Sequence, residues 1–369
     1  MSILVLNVGS SSVKFATFTH ENGRLVERAR SQRARAAGLE HGEAIDDADL
    51  ALVTEILEAS EREHGAIQAV GHRIVHGGRA FLAPVRIDGK VLAAMDALAP
   101  LAPLHQPHNL MGVRAVARLR QGLTQIACFD TAFHRTQPEL HRRLPLPESY
   151  FEEGVERYGF HGLSYTWLTQ EISRLRGATP GRTLAFHLGA GSSACAILDG
   201  RSHDTSMGFS TIDGLMMATR PGALDPGAIL HLLGQGATLK ELTDLLYTRS
   251  GLRGVSGLTA DMKTLLESSE ESAHRATEMF CRRAAVVGAG LAVALGGLDA
   301  IVFTGGIGQH APAIRANIVA QLDLLGATID QQRNATSEAR ISPDGAGVEC
   351  WIVKADEERV IAEAVAALA

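Results

Sequence analysis

The pattern of apolar and polar positions divides the chain into short β runs and longer helical stretches. Ser2–Val8 is a short apolar run that ends in glycine, and Val13–Phe18 follows after a few small residues, so strand, tight turn, strand is the simplest reading. Asp46–Ala59 and Met111–Leu119 carry apolar residues at helical spacing. Ile67–Val75 reads as a strand that stops at Gly77-Gly78, and Gln125–Phe129 as a strand with Asp130 at its end. Leu98–Pro107 and Pro138–Pro147 are punctuated by proline and read as loop connections. Thr183–Leu188, a Gly-rich turn and Ala194–Leu198 repeat the amino-terminal pattern about half a chain later. A helical half, Ala228–Leu298, is broken by loops. Ala300–Phe303 is a strand running into a third glycine turn, Thr304-Gly305-Gly306-Ile307-Gly308; Val348–Val353 is the last strand and Glu357–Leu368 a helix.

Length and composition narrow the class. At 369 residues, 46% apolar and 21% charged, the chain is a globular protein of two or more domains, not a disordered chain or a small disulfide scaffold. A net charge of −6 without a basic block, and only 5% aromatic residues, argue against a nucleic-acid partner. The four cysteines form no CxxC pair, and the amino terminus has no basic n-region, so reduced thiols in a cytoplasmic protein are expected. Ala284–Leu298 is apolar but about 15 residues long, short of a membrane span, and is expected to be a buried helix packed through its glycines.

Candidate chemistry begins with the Gly/Ser turns. Gly9-Ser10-Ser11-Ser12 and Gly189-Ala190-Gly191-Ser192 expose backbone N–H groups, and hydroxyls add donors, which suits an anion such as phosphate. Lys14 adds charge nearby, but no Walker A sequence is present. Arg73, His105, His161 and Arg220 lie at strand ends and loops, where function concentrates; taken singly, each reads first as an ordinary surface arginine or structural histidine. His72 and His76 are not an H-E-x-x-H zinc motif, because Arg73 stands where glutamate is needed.

Together these motifs resemble the acetate kinase family, of the sugar kinase, actin and Hsp70 ATPase fold group. The resemblance runs in order through Asn7–Phe15, His72–Gly78, Leu101–His105, Phe129–His134, Tyr158–Gly162, His187–Ser193, Thr205–Phe209, Gly214–Met217 and Phe303–Gly308. It implies an α/β fold: two RNase H-like domains with mixed sheets flanked by helices around a central cleft. The domains would be 1–133 with 356–369, carrying the first phosphate loop and acid-binding residues, and 134–355, carrying the second phosphate loop and the adenosine site. The implied reaction is ATP + acetate ⇌ ADP + acetyl phosphate with Mg²⁺ or Mn²⁺, by direct in-line transfer, in a homodimer. Asn7, Ser10, Ser12 and Lys14, with His187, Gly189 and Gly191, would line the phosphates. Arg73 and Arg220 would flank the carboxylate and the transferring group, with His161 on that group and His105 nearby. Asp130, Asn7 and Glu357 would serve the metal. Val75, Leu104, Phe160 and Thr211 would wall the methyl pocket, and Asp261, Lys263, Gly305, Gly306 and Ile307 would meet the nucleoside.

The chain departs from the family pattern in places. Ala190 replaces the usual asparagine of the second loop, Pro221 and Ala223 follow Arg220 where serine and aspartate are usual, Thr211 replaces a proline, and Lys263 an arginine. Two alternatives follow: a propionate or related short-chain acid kinase, and a non-acyl nucleotide-binding ATPase of the same fold.

Overall fold

The computed structural model describes residues 1–35 and 45–369. The chain forms two compact units, Met1–Phe133 with Asp356–Ala369, and His134–Ala355.

The first unit holds a mixed sheet built from β1 (Ser2–Val8), β2 (Ser12–Glu21), β3 (Arg24–Ala34), β4 (Ala69–Ile74), β5 (Val85–Arg86) and β6 (Thr124–Phe129). Their order is β3-β2-β1-β4-β6-β5. The hairpin expected at the amino terminus is present: β1 and β2 pair antiparallel from Ser2↔Thr19 to Val8↔Val13. β1, β4 and β6 then run parallel, so helical crossovers must connect them and cover the sheet. Leu4, Leu6, Val8 and Val70 pack with Val53, Ile56 and Leu57 of helix Asp47–His64, and with Met111, Ala115 and Val116 of helix Gln106–Leu119.

The other face is covered by the carboxyl-terminal helix Glu357–Leu368. Gly71 in β4 is what lets it approach. A Cβ there would collide with Ile361 Cγ2 and lie 2.8 Å from Val365 Cγ2.

The second unit repeats the plan with β7 (Arg182–Leu188), β8 (Ser192–Leu198), β9 (Arg201–Thr205), β10 (Ala300–Thr304) and β11 (Glu349–Ile352). Its order, β11-β10-β7-β8-β9, read from the other edge is an antiparallel trio followed by two parallel neighbours, the same succession as β3-β2-β1-β4-β6. The likeness of the two Gly/Ser hairpins thus extends over five strands of each sheet. The core gathers Leu184, Phe186, Leu188, Ile301 and Phe303 against Ala276, Phe280 and Ala284 of the long helix Glu271–Leu295.

Several expectations need correction. The third glycine turn is a helix, Gly305–His310, starting directly from β10. Gly305 makes the abrupt change with φ +78°, and its missing Cβ would lie 2.5 Å from Leu188 O. Leu98–Pro107 is not all loop: a 3₁₀ turn spans Ala99–Leu101 and a helix begins at Gln106. Pro107 sits in the first helical turn, where a missing N–H costs nothing. Within Pro138–Pro147 a short helix spans Glu139–Arg142. Ala284–Leu298 is not buried all round. The helix ends at Leu295, and Gly288 sits against Phe186, but Val286 and Val293 are 59% and 78% exposed. Among the described residues no helix is long and apolar enough to cross a membrane.

Gly71→Ala forces a methyl into the contact with Ile361 and Val365. Overpacking of this kind costs about 1–3 kcal/mol, so urea denaturation should show a lower midpoint with an unchanged slope.

Candidate active site

In the first unit the candidate side chains lie where parallel strands end. Asn7 is near the end of β1, Arg73 near the end of β4, and Asp130 directly follows β6. The Asp130 backbone N–H donates to Ile74 O at 3.0 Å, which fixes the carboxylate beside Arg73. Arg73 Nη2 donates to Asp130 Oδ2 at 2.6 Å and Nε to the same oxygen at 3.1 Å. Nη1 donates to Asn7 Oδ1 at 3.3 Å, and Glu357 Oε2 lies 4.0 Å from Nε. Burial works against the Arg73 charge, but Asp130 and Glu357 outweigh it and hold the guanidinium above its ordinary range. Asn7, Arg73, Asp130 and Glu357 therefore form one cluster.

Across the first hairpin, Lys14 stands opposite Asn7, and Ser12 opens β2. Ser10 is exposed in the turn, and Gly9 N–H closes the turn onto Ser12 O at 2.9 Å. Val75 is buried, and its N–H donates to Asn109 Oδ1 at 2.9 Å; Asn109 Nδ2 in turn donates to Val8 O at 2.7 Å. Leu104 and His105 directly precede the Gln106–Leu119 helix, both half-buried.

In the second unit the helix Gly162–Arg176 starts at His161, which takes the left-handed conformation (φ 60°). The preceding Phe160 is sealed at 1% exposure, and its carbonyl accepts from His134 Nε2 at 2.9 Å. His161 stacks on His187 with ring centroids 4.2 Å apart. Each Nδ1 meets a serine hydroxyl: Ser193 Oγ at 2.9 Å for His161, Ser164 Oγ at 2.8 Å for His187. Gly191 leaves the space above it open to two polar groups. A Cβ on it would lie 3.0 Å from Arg220 Nη2 and 3.1 Å from His161 Nε2. Arg220 Nη1 donates to the carbonyl of buried Thr211 at 2.8 Å. The Arg220 loop is held from behind by Gly251 (φ +64°), whose missing Cβ would lie 2.8 Å from Arg220 O.

A cavity of about 700 Å³ opens beside the second hairpin, lined among others by Gly189, Ala190, Asp261, Lys263, Gly306 and Ile307. Gly305 is not part of that lining; it is buried against Leu188. Asp261 is partly spent as a helix cap, its Oδ1 accepting from Thr264 N–H at 2.8 Å and Thr264 Oγ1 at 2.7 Å. Those bonds hold its carboxyl below the usual range. Lys263 is 83% exposed, with Nζ 3.9 Å from Glu267 Oε1.

Residues 2–363 match the sequence profile of the Acetokinase family. The chain belongs to the acetokinase family. It is 45% identical to the acetate kinase of Rhodopseudomonas palustris (strain TIE-1), over 100% of this chain and 98% of that one. It is 39% identical to the acetate kinase of Rickettsia prowazekii (strain Madrid E), over 98% of both. Among solved structures, a propionate kinase from Francisella tularensis subsp. tularensis SCHU S4 superposes with a TM-score of 0.90 at 33% identity, over 100% of both chains. Porphyromonas gingivalis acetate kinase gives 0.87 at 31%, over 100% of this chain and 99% of that one.

Within this acetokinase chain, sequence reasoning missed a supporting layer. Ser164 and Tyr165 behind the two imidazoles, Asn109 behind Val75, and His310 in the cavity lining carry no sequence signal beyond proximity to a motif; Ser193 closes the His187–Ser193 motif, but its place behind His161 is set by the fold. His72 is a buried structural residue, its Nε2 bonded to Gln125 Oε1 at 2.7 Å. Among the described residues no three His, Cys, Asp or Glu side chains gather to hold a metal ion, and all four cysteines are free and buried.

Burial lowers the pKa of both His72 and His134 to about 4. From pH 6.5 down to about 4 the unfolded chain binds these protons and the folded chain does not, so stability falls as pH falls. Each group should contribute a slope of about 1.4 kcal/mol per pH unit inside that window. Urea denaturation at successive pH values should show this loss, shallower in His134→Gln.

Proposed function

We propose that the chain catalyses ATP + acetate ⇌ ADP + acetyl phosphate by direct in-line transfer of the phosphoryl group. The observation that carries the reading is the engagement of Asp130. A kinase acting on a hydroxyl needs a free carboxylate base, whereas here the buried carboxylate is bound to Arg73. Acetate is ionised at neutral pH and needs no base. It needs relief from repulsion as two anions approach, which Arg73, Arg220 and the His161 imidazole offer. The first hairpin, with Asn7, Ser10, Ser12 and Lys14, and the second, with His187, Gly189 and Gly191, are assigned to the phosphates. The cavity at Asp261, Lys263, Gly306 and Ile307 is assigned to the nucleoside; its volume suits a drug-sized ligand.

The oxygens of Asn7, Asp130 and Glu357 around Arg73 are hard donors of the kind Mg²⁺ takes together with substrate phosphates and water. They would hold Mg²⁺ or Mn²⁺, which when bound neutralises charge on the phosphate oxygens. Arg73 also orients the Asp130 carboxylate. A homodimer accords with the exposed apolar stripe Met279, Val286 and Val293 on one long helix, and a cytoplasmic setting with the free, buried cysteines.

A propionate kinase is the second reading, favoured by the likeness to the Francisella enzyme, while Thr211, more polar than the usual proline, weakens an assignment from pocket size alone. Val75, with two methyl groups, argues for the smaller acid. Steady-state rates with acetate, propionate and butyrate, each with ATP and GTP, should show acetate-dependent ADP formation; its absence refutes the reading. Arg220→Lys should lower kcat roughly tenfold or more, since an ammonium cannot reproduce the planar fork.

Val75→Ala enlarges the proposed methyl pocket. At ~0.8 kcal/mol per CH₂, propionate should gain on acetate by roughly a few-fold to tenfold in kcat/KM. An unchanged ratio removes Val75 from the pocket.

A further inference from the structure

We infer that Arg35 is a positioning residue of the first phosphate hairpin: from behind the turn it takes the carbonyl that would otherwise close it, so that backbone N–H groups stay open to a phosphate. Arg35 directly follows β3, and its side chain is nearly sealed, 8% exposed, against Asp49 of the Asp47–His64 helix. Nε donates to Asp49 Oδ1 at 2.6 Å and Nη2 donates to Oδ2, a two-point grip that fixes the plane of the guanidinium. Nη1 reaches the loop and donates to Gly9 O at 3.2 Å and to His108 Nδ1 at 2.8 Å. A guanidinium can only donate, so that imidazole nitrogen accepts.

The backbone bonds of the turn show what this grip does. A hydrogen-bonded antiparallel pair exchanges two bonds. Gly9 and Ser12 keep one of them: Gly9 N–H donates to Ser12 O at 2.9 Å, but among the described residues the Gly9 carbonyl accepts from Arg35 and not from Ser12 N–H. The Arg35 backbone N–H meanwhile donates to Ser11 O at 2.9 Å. In a planar trans peptide the N–H points opposite to the C=O. With Gly9 O and Ser11 O both drawn toward Arg35, the N–H groups of Ser10 and Ser12 turn away from it. Backbone N–H groups presented together by a turn of small residues make a concavity that binds an anion.

Arg35 therefore acts through the loop and not as a phosphate ligand, since its fork is already bound to a buried carboxylate. Without the guanidinium, Ser12 N–H recovers the Gly9 carbonyl, the turn closes, and a donor is withdrawn from the phosphate. Lysine keeps the charge, but an ammonium bound to Asp49 has no fork to extend to Gly9 O. The inference rests on the assignment of this hairpin to phosphate for its effect on affinity; the open turn is a property of the free protein.

The test measures ATP and adenosine binding to the full-length protein by titration calorimetry. In Arg35→Lys the Kd for ATP should rise roughly tenfold, as for one lost hydrogen bond to a charged group, with the Kd for adenosine changed less than about twofold. An unchanged Kd for ATP, or equal weakening of both ligands, overturns the proposal, because a merely structural loss does not distinguish the two. Breaking a buried ion pair is strongly destabilising, so Arg35→Gln combined with Asp49→Asn, which removes both charges together, is measured alongside and should weaken ATP by the same factor. Amide hydrogen exchange followed in ¹H–¹⁵N spectra reads the turn itself: without nucleotide, Ser12 N–H should exchange more slowly in the variants than in the unmutated chain. Equal or faster exchange also overturns the proposal. If the unmutated protein binds ATP no more tightly than adenosine, the phosphate assignment of the hairpin fails, while Ser12 exchange still decides whether Arg35 holds the turn open.

Discussion

Parallel strand pairing is the constraint on which the rest depends. β1, β4 and β6 in one unit, and β7, β10 and β11 in the other, cannot be joined by tight turns. Each crossover must leave at a strand's carboxyl end, and the sheet must be covered on both faces. Ligand-binding groups collect at such carboxyl ends in open α/β sheets, and Arg73, Asp130 and Thr304 stand there. The same constraint recruits the last helix of the chain to the first sheet and requires glycine at position 71 beneath it.

The antiparallel hairpin beside each parallel set supplies the complementary element. A turn of small residues joins β1 to β2 and β7 to β8, so backbone donors stay accessible where a larger side chain would cover them. Space is set by what is missing: no Cβ at Gly191 under Arg220 and His161, and none at Gly305 against Leu188. The charged groups are then held by different means. Arg73 is fixed by a carboxylate, at the cost of burying two charges together. His161 is fixed by neutral hydroxyls, which orient the ring without adding charge, and Arg220 is anchored through a backbone carbonyl. A carboxylate beside His161 would oppose an approaching phosphate; hydroxyls do not.

Much of this was readable in the sequence, for a physical reason. β1, β6, β7 and β10 are buried on both faces, so each carries an uninterrupted stretch of apolar residues, whereas β4 is broken by Gly71-His72-Arg73. Asn7, Arg73, Asp130 and His187 at or near their ends, and His161 and Arg220 in loops, fall within short motifs, which brought them into view without any knowledge of contacts. The edge strands β3 and β9 were not readable. β3 alternates charged and small residues along an exposed edge, and β9 is Arg201-Ser202-His203-Asp204-Thr205; each is a strand because a neighbour pairs with it. The helix at Gly305–His310 was hidden because consecutive glycines read locally as a turn, while the strand behind and the packing against Leu188 select the helix. The supporting residues Asn109, Ser164 and Tyr165, and the contacts that Ser193 makes, could come only from the tertiary structure. Local sequence records which side chains are apolar and where the backbone can turn; which hydroxyl or amide completes a buried hydrogen bond depends on elements brought together from distant parts of the chain.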